Sequence, residues 1–163
     1  MSTTIRLTCL AVLLAVACGP VPARRLVPDF PKHRQALVAI SDGLLSLHAT
    51  AHVSHLLVGQ NGQVTFLADN EALLDTSALF RATPDSVKLT FRRLAVLAPQ
   101  LLVSGMVERD EAVVLMTGSG GATGPHWGYV RAGIGGAARL RQLFQSALDT
   151  LPHEAEWFVF VAD

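Results

Sequence analysis

The chain has 163 residues, with 13 Lys and Arg against 13 Asp and Glu; half are hydrophobic and only 16% are charged. That balance excludes a disordered polar chain, a collagen-like repeat and a strongly basic nucleic-acid binder, and two cysteines are too few for a disulfide scaffold. The length suits one domain with a sizeable core.

Arg6 precedes a mostly apolar run, Leu7–Ala17, in the pattern of a secretory signal peptide. At ~1.5 Å per residue the run spans about 16 Å of helix, too short for a ~30 Å hydrocarbon core. Small residues then lead into a cysteine: Leu14-Ala15-Val16-Ala17-Cys18. This stretch resembles the lipobox of bacterial lipoproteins, although Ala15 stands three places before Cys18 where Leu is commonest. The resemblance implies a lipid on the Cys18 thiol, cleavage just before it, and a protein anchored in the cell envelope. Gly19, in place of Asp, resembles lipoproteins sent to the outer membrane of Gram-negative cells. The alternative is an ordinary signal peptide cut after Ala17 or Ala23. Cys9 lies in the apolar run and leaves with it, so Cys18 would be the one remaining thiol, and acylation removes that liability.

Residues 19–31 hold four of the eight prolines, a composition that favours extended polyproline II. The expected organisation is a signal peptide over 1–17, lipidated Cys18 and a proline-rich tether over 18–31, and a single α+β domain over 32–163.

A first helix is expected from about His33 to Thr50, with Leu37, Ile40, Leu44 and Leu47 as its apolar stripe. A hairpin follows, Val53–Val58 and Gln63–Ala68, turning at Gly59-Gln60-Asn61-Gly62. Within 69–82 one short helix is expected around Glu71–Phe80. Thr83-Pro84 starts a second helix, a capping hydroxyl followed by proline; Val87, Phe91, Leu94 and Ala98 form its buried face, and Pro99 closes it. Lys88, Arg92 and Arg93 fall on its outer side and read as a solvated face. A second hairpin is expected over Leu101–Val107 and Ala112–Thr117, with the run Ala-Val-Val-Leu-Met covered on both sheet faces. His126–Ala132 reads as a strand, Ala137–Leu151 as a third helix stopped by Pro152, and Trp157–Ala162 as a final strand.

The expected order is α-β-β-α-β-β-β-α-β: an α+β fold with a mostly antiparallel sheet of five to six strands and about three packed helices. Through the third helix this order, together with His55-Leu-Leu-Val-Gly-Gln-Asn-Gly62-Gln-Val-Thr-Phe-Leu67, resembles the Roadblock/LC7 fold. That fold is a small dimerising module of bacterial GTPase regulators and of dynein and longin-related scaffolds. The resemblance brings no catalytic motif, and the export signal, residues 69–82 and the extra strand at 156–162 depart from it.

Three constellations carry possible chemistry. His48, His52 and His55 would lie within a ~60° sector of a continuous helix, a donor set for zinc, copper or nickel. If the helix ends near Ala51, His55 instead points elsewhere. Arg131, Gly135, Gly136 and Arg139 surround the start of the expected third helix, where backbone N–H groups and two arginines suit an anion; alternatively the glycines only make a turn. Thr117–Gly124 superficially resembles the glycine loop of nicotinamide-dependent reductases. The Pro125-His126-Trp127 that follows cannot easily begin a helix, so a hairpin loop is the better reading.

No nucleophile elbow, His-Glu-x-x-His helix, Walker loop or zinc-type cysteine spacing is present. The expected function is a lipid-anchored envelope protein with a non-catalytic binding domain. Its partners would be the membrane, through the lipid, and an unidentified protein or a second copy, with no nucleic acid. A metal-binding envelope protein built on the three histidines is the alternative.

Overall fold

The computed structural model describes residues 23–68, 73–74, 83–108, 112–119, 126–133, 136, 139–140 and 148–162. It is an α+β fold: helix α1 (Ala23–Ala51), strands β1 (Val53–Val58) and β2 (Val64–Ala68), helix α2 (Asp85–Leu101), then β3 (Ser104–Glu108), β4 (Ala112–Ser119), β5 (His126–Arg131), β6 (Leu148–Thr150) and β7 (Trp157–Ala162). All seven strands join one sheet in the order β2-β1-β3-β4-β5-β7-β6, and every pairing is antiparallel. The antiparallel α+β class agrees with the expectation. The strand count does not: there are seven in place of five to six, and two helices are described in full beside the helical Gly136, Arg139 and Leu140.

The first correction concerns the proline-rich segment. Residues 23–31 are not an extended tether; they are the opening turns of α1, which contains both Pro28 and Pro31. Leu26 and Phe30 continue the stripe Leu37, Ile40, Leu44, Leu47 backwards at helical spacing, and all six are buried. Phe30 is 2% exposed and sits 5.4 Å from the Tyr129 ring and 5.2 Å from the Trp157 ring, centroid to centroid. The Tyr129 hydroxyl donates to the Leu26 carbonyl at 2.9 Å. An interior proline costs ~3 kcal/mol through its missing N–H and its ring clash. Burying each of Leu26 and Phe30 returns ~1.5–3 kcal/mol, and the buried Tyr129 bond adds ~1 kcal/mol. Composition favoured extension; tertiary burial offsets it.

Further corrections follow from the same physics. Pro84 itself is the cap residue of α2, without a side-chain cap hydrogen bond, so the helix starts at Asp85, one residue later than the Thr-Pro signal suggests. Pro99 does not close α2. The helix runs on to Leu101 and ends where Leu102 turns left-handed at φ 52°. There the Leu102 N–H donates to Pro99 O at 3.1 Å and the Val103 N–H to Ala98 O at 3.0 Å. This delays β3 to Ser104. Most of the expected third helix, and of the expected short helix at 71–80, lies outside the described residues. Gly136, Arg139 and Leu140 are helical, but Leu148–Thr150 pair with β7 as a strand. Leu73 makes an isolated bridge to Leu67.

The remaining expectations match closely. The buried face of α2 is Val87, Phe91, Leu94 and Ala98. Gly62 takes φ +76° in the first hairpin turn, where its amide donates to Gly59 O at 2.9 Å and glycine avoids the Cβ clash. In β4, Ala112, Val113, Val114 and Leu115 are all at most 1% exposed. The helical layer covers one sheet face, with Val113, Leu115, Tyr129, Trp157 and Val159 beneath it. On the other face Val114, Val130, Phe158 and Phe160 form a second cluster with Leu140 and Leu148.

Candidate functional site

The three histidines do not share a helix face. α1 ends at Ala51 with His48 in its last turn. His52 then takes φ 54°, its N–H donating to His48 O at 3.2 Å, and this left-handed residue turns the chain into β1. His55 therefore stands on a strand, its Nδ1 2.8 Å from the Ser54 hydroxyl. Ser54 Oγ also donates to Ala68 O at 2.8 Å; a hydroxyl has one proton, so the His55 Nδ1 carries the hydrogen it gives to Ser54. The premise of a continuous helix fails. Among the described residues no group of three His, Cys, Asp or Glu is arranged to hold a metal ion.

Arg131 is engaged rather than open to an anion. It reaches Asp42 of α1 and, at 3.5 Å, Glu156, and its guanidinium lies 6.0 Å from the Trp157 ring centroid. Two carboxylates already neutralise it. Gly135 lies outside the described residues; Gly136 is buried and Arg139 exposed. With Arg34–Glu154 at 2.6 Å, the Arg131–Asp42 pair joins α1 to the chain around β5 and β7. Thr117, Gly118 and Ser119 belong to β4, with Gly118 opposite Trp127 and Ser119 opposite His126. Residues 120–125 lie outside the described residues; the strands on either side of them, β4 and β5, pair as neighbours in the sheet. Cys18 lies outside the described residues.

Concavities border α1 and α2 on more than one side. The first, about 300 Å³, is lined by Asp29, His33 and Leu37 of α1, Leu101 and Leu102 at the end of α2, and Tyr129. Burial, and secondarily the charge of Asp29, push the Tyr129 phenol up to about 12, so it stays a neutral donor to Leu26 O. At the lower limit of ligand-pocket size, this hollow is mainly where the N-terminal half of α1 docks.

The second is larger and lies on the outer, solvent side of the two helices. The cavity linings run from Leu26–Leu37 beside Gln100–Val103 to Asp42–Ser46 beside Thr90–Leu94, so the helices are antiparallel. They approach closely at Gly43, where an added Cβ would stand 3.0 Å from Leu94 Cδ2. Beside this contact is a groove of about 690 Å³. Ala36 and Ala39 from α1 and Leu97 from α2 form its floor, Leu89 and Val96 its apolar wall, and Lys32, Arg92 and Arg93 its rim. Leu89 is 66% and Val96 58% exposed. Arg92 and Arg93, expected as a solvated face, line this groove, and Leu89 and Val96 stand beside them. The signal was present: Leu89, Arg92, Arg93 and Val96 stand at i, i+3, i+4 and i+7, opposite the core stripe.

No helix among the described residues is long and apolar enough to cross a membrane. Comparison with known protein families, with curated proteins and with solved structures finds no match.

Proposed function

We propose that this chain is a lipid-anchored protein of the bacterial cell envelope whose α+β domain binds a protein partner without catalysing a reaction. The observation that carries this reading is the run Leu14-Ala15-Val16-Ala17-Cys18 behind Arg6 and an apolar stretch. Acyl chains gain ~0.8 kcal/mol per buried methylene, whereas Arg24 and Arg25 add only ~1 kcal/mol each near an anionic surface, so the lipid supplies the anchoring. Held by that lipid, the domain stays beside the membrane, in the outer membrane where the cell is Gram-negative, and the α1/α2 groove is the surface it offers.

Feeding cells an alkyne-tagged fatty acid tests this. The wild-type chain takes up label and the Cys18→Ser chain does not. Equal labelling of both, or labelling of neither, contradicts the proposal.

A further inference from the structure

We infer that the groove between α1 and α2 is a docking site for an acidic amphipathic helix of a partner protein. The inference rests on reading the domain as a binding module and names the chemistry of what it binds.

Three observations point to this occupant. The groove is concave, with small residues, Ala36 and Ala39, at its floor, so a ridge of side chains from a third helix can enter it; a flat bilayer cannot fill it. Leu89 and Val96 are seven residues apart on one helix face, so both can meet the apolar stripe of a helix laid along α2, with Arg92 and Arg93 between them in sequence. The charge is one-sided: Lys32, Arg92 and Arg93 line the groove, and no carboxylate among the described residues does. Lys32 is paired at 2.8 Å with Asp29, whereas neither arginine has an ion pair among the described residues. Carboxylates flanking the apolar stripe of an incoming helix would meet both guanidinium groups.

The same charges argue against a second copy. A symmetric pairing that sets Leu89 of one protomer against Val96 of the other brings Arg92 and Arg93 of both chains together near the two-fold axis. Like charges at that position oppose the dimer.

The test uses the full chain in phosphatidylcholine nanodiscs and two synthetic helical peptides. Both carry Leu at i, i+3, i+4 and i+7; one has Glu and the other Lys at the flanking positions. Fluorescence anisotropy is expected to show binding of the Glu peptide, weakened by added salt, and clear discrimination against the Lys peptide. Arg92→Glu with Arg93→Glu should weaken the Glu peptide at least about tenfold and favour the Lys peptide, while far-ultraviolet circular dichroism stays unchanged. Val96→Asp should also abolish binding, through the apolar wall alone. No binding of the Glu peptide, or equal binding of both peptides, overturns the inference. So does Arg92- and Arg93-dependent binding to phosphatidylglycerol vesicles without peptide binding, or a dimer by sedimentation that Val96→Asp dissolves. Acylation is read on the same preparation by intact mass. A bare Cys18 with peptide binding intact contradicts the anchor alone; an acylated Cys18 without peptide binding contradicts the groove alone.

Discussion

Phe30→Ala separates a helix built into the core from a solvated leash. Phe30 is 2% exposed, wedged between the rings of Tyr129 and Trp157. Truncating a ring at such a site loses its transfer free energy and leaves a cavity, ~3–5 kcal/mol together. The tilted ring contacts to two aromatic neighbours place the value toward the upper end of that range. A domain of this size is stable by only ~5–15 kcal/mol, so the variant should lose a large fraction of its stability. In urea titration followed by tryptophan fluorescence, the midpoint should fall sharply. The dependence on denaturant should be nearly unchanged, because the surface exposed on unfolding is almost the same. Pro28→Ala, at an exposed position of the same segment, should be neutral or stabilising, since it restores a helix hydrogen bond. A Phe30→Ala loss below ~0.5 kcal/mol, the range of surface substitutions, would refute the docking of residues 23–31.

Three further outcomes are expected. Tyr129 is the chain's sole tyrosine, so phenolate absorbance titrates it directly, and its midpoint should lie near 12 rather than 10. The unfolded chain loses the phenol proton first, so this contribution to stability is complete below pH 10 and declines as pH rises toward 12, by up to ~3 kcal/mol; a midpoint at 10 would contradict burial of the ring. Leu102→Gly should raise the melting temperature, because Leu102 holds φ 52° while 65% exposed and glycine relieves ~1 kcal/mol of left-handed strain. Gly43→Val should destabilise by ~1–3 kcal/mol through the Leu94 side chain 3.0 Å from its Cβ position. In a double-mutant cycle with Leu94→Ala, the pair should be less destabilised than the sum of the two single changes.

Sequence patterns located what local physics controls. The hairpin over β1 and β2, the buried face of α2 and the last strand were legible because apolar period and turn chemistry agree there. The N-terminal half of α1 was hidden because Pro28 and Pro31 argue for extension, while Leu26 and Phe30 argue for helix only once Tyr129 and Trp157 are in place. Likewise the apolar run around Leu148 fits a helix by period, yet it lies against Phe158 and Phe160 as strand β6. Periodicity cannot tell a buried helical stretch from a short strand that completes a sheet. For the site, the histidine spacing misled because one left-handed residue, His52, ends the helix that the spacing assumed. Leu89 and Val96 give no signal of their own in the sequence, because scattered exposed apolar residues are common on any surface. They matter here because Ala36 and Ala39 of α1 lie beside them at the floor of one groove.

The tethered binding-domain account stands most directly on the intact mass of the protein extracted from the membranes of its own cells. The account predicts a chain that begins at Cys18 and carries fatty-acyl mass. A species that retains Met1, or one that begins at Cys18 with a free thiol, would contradict it.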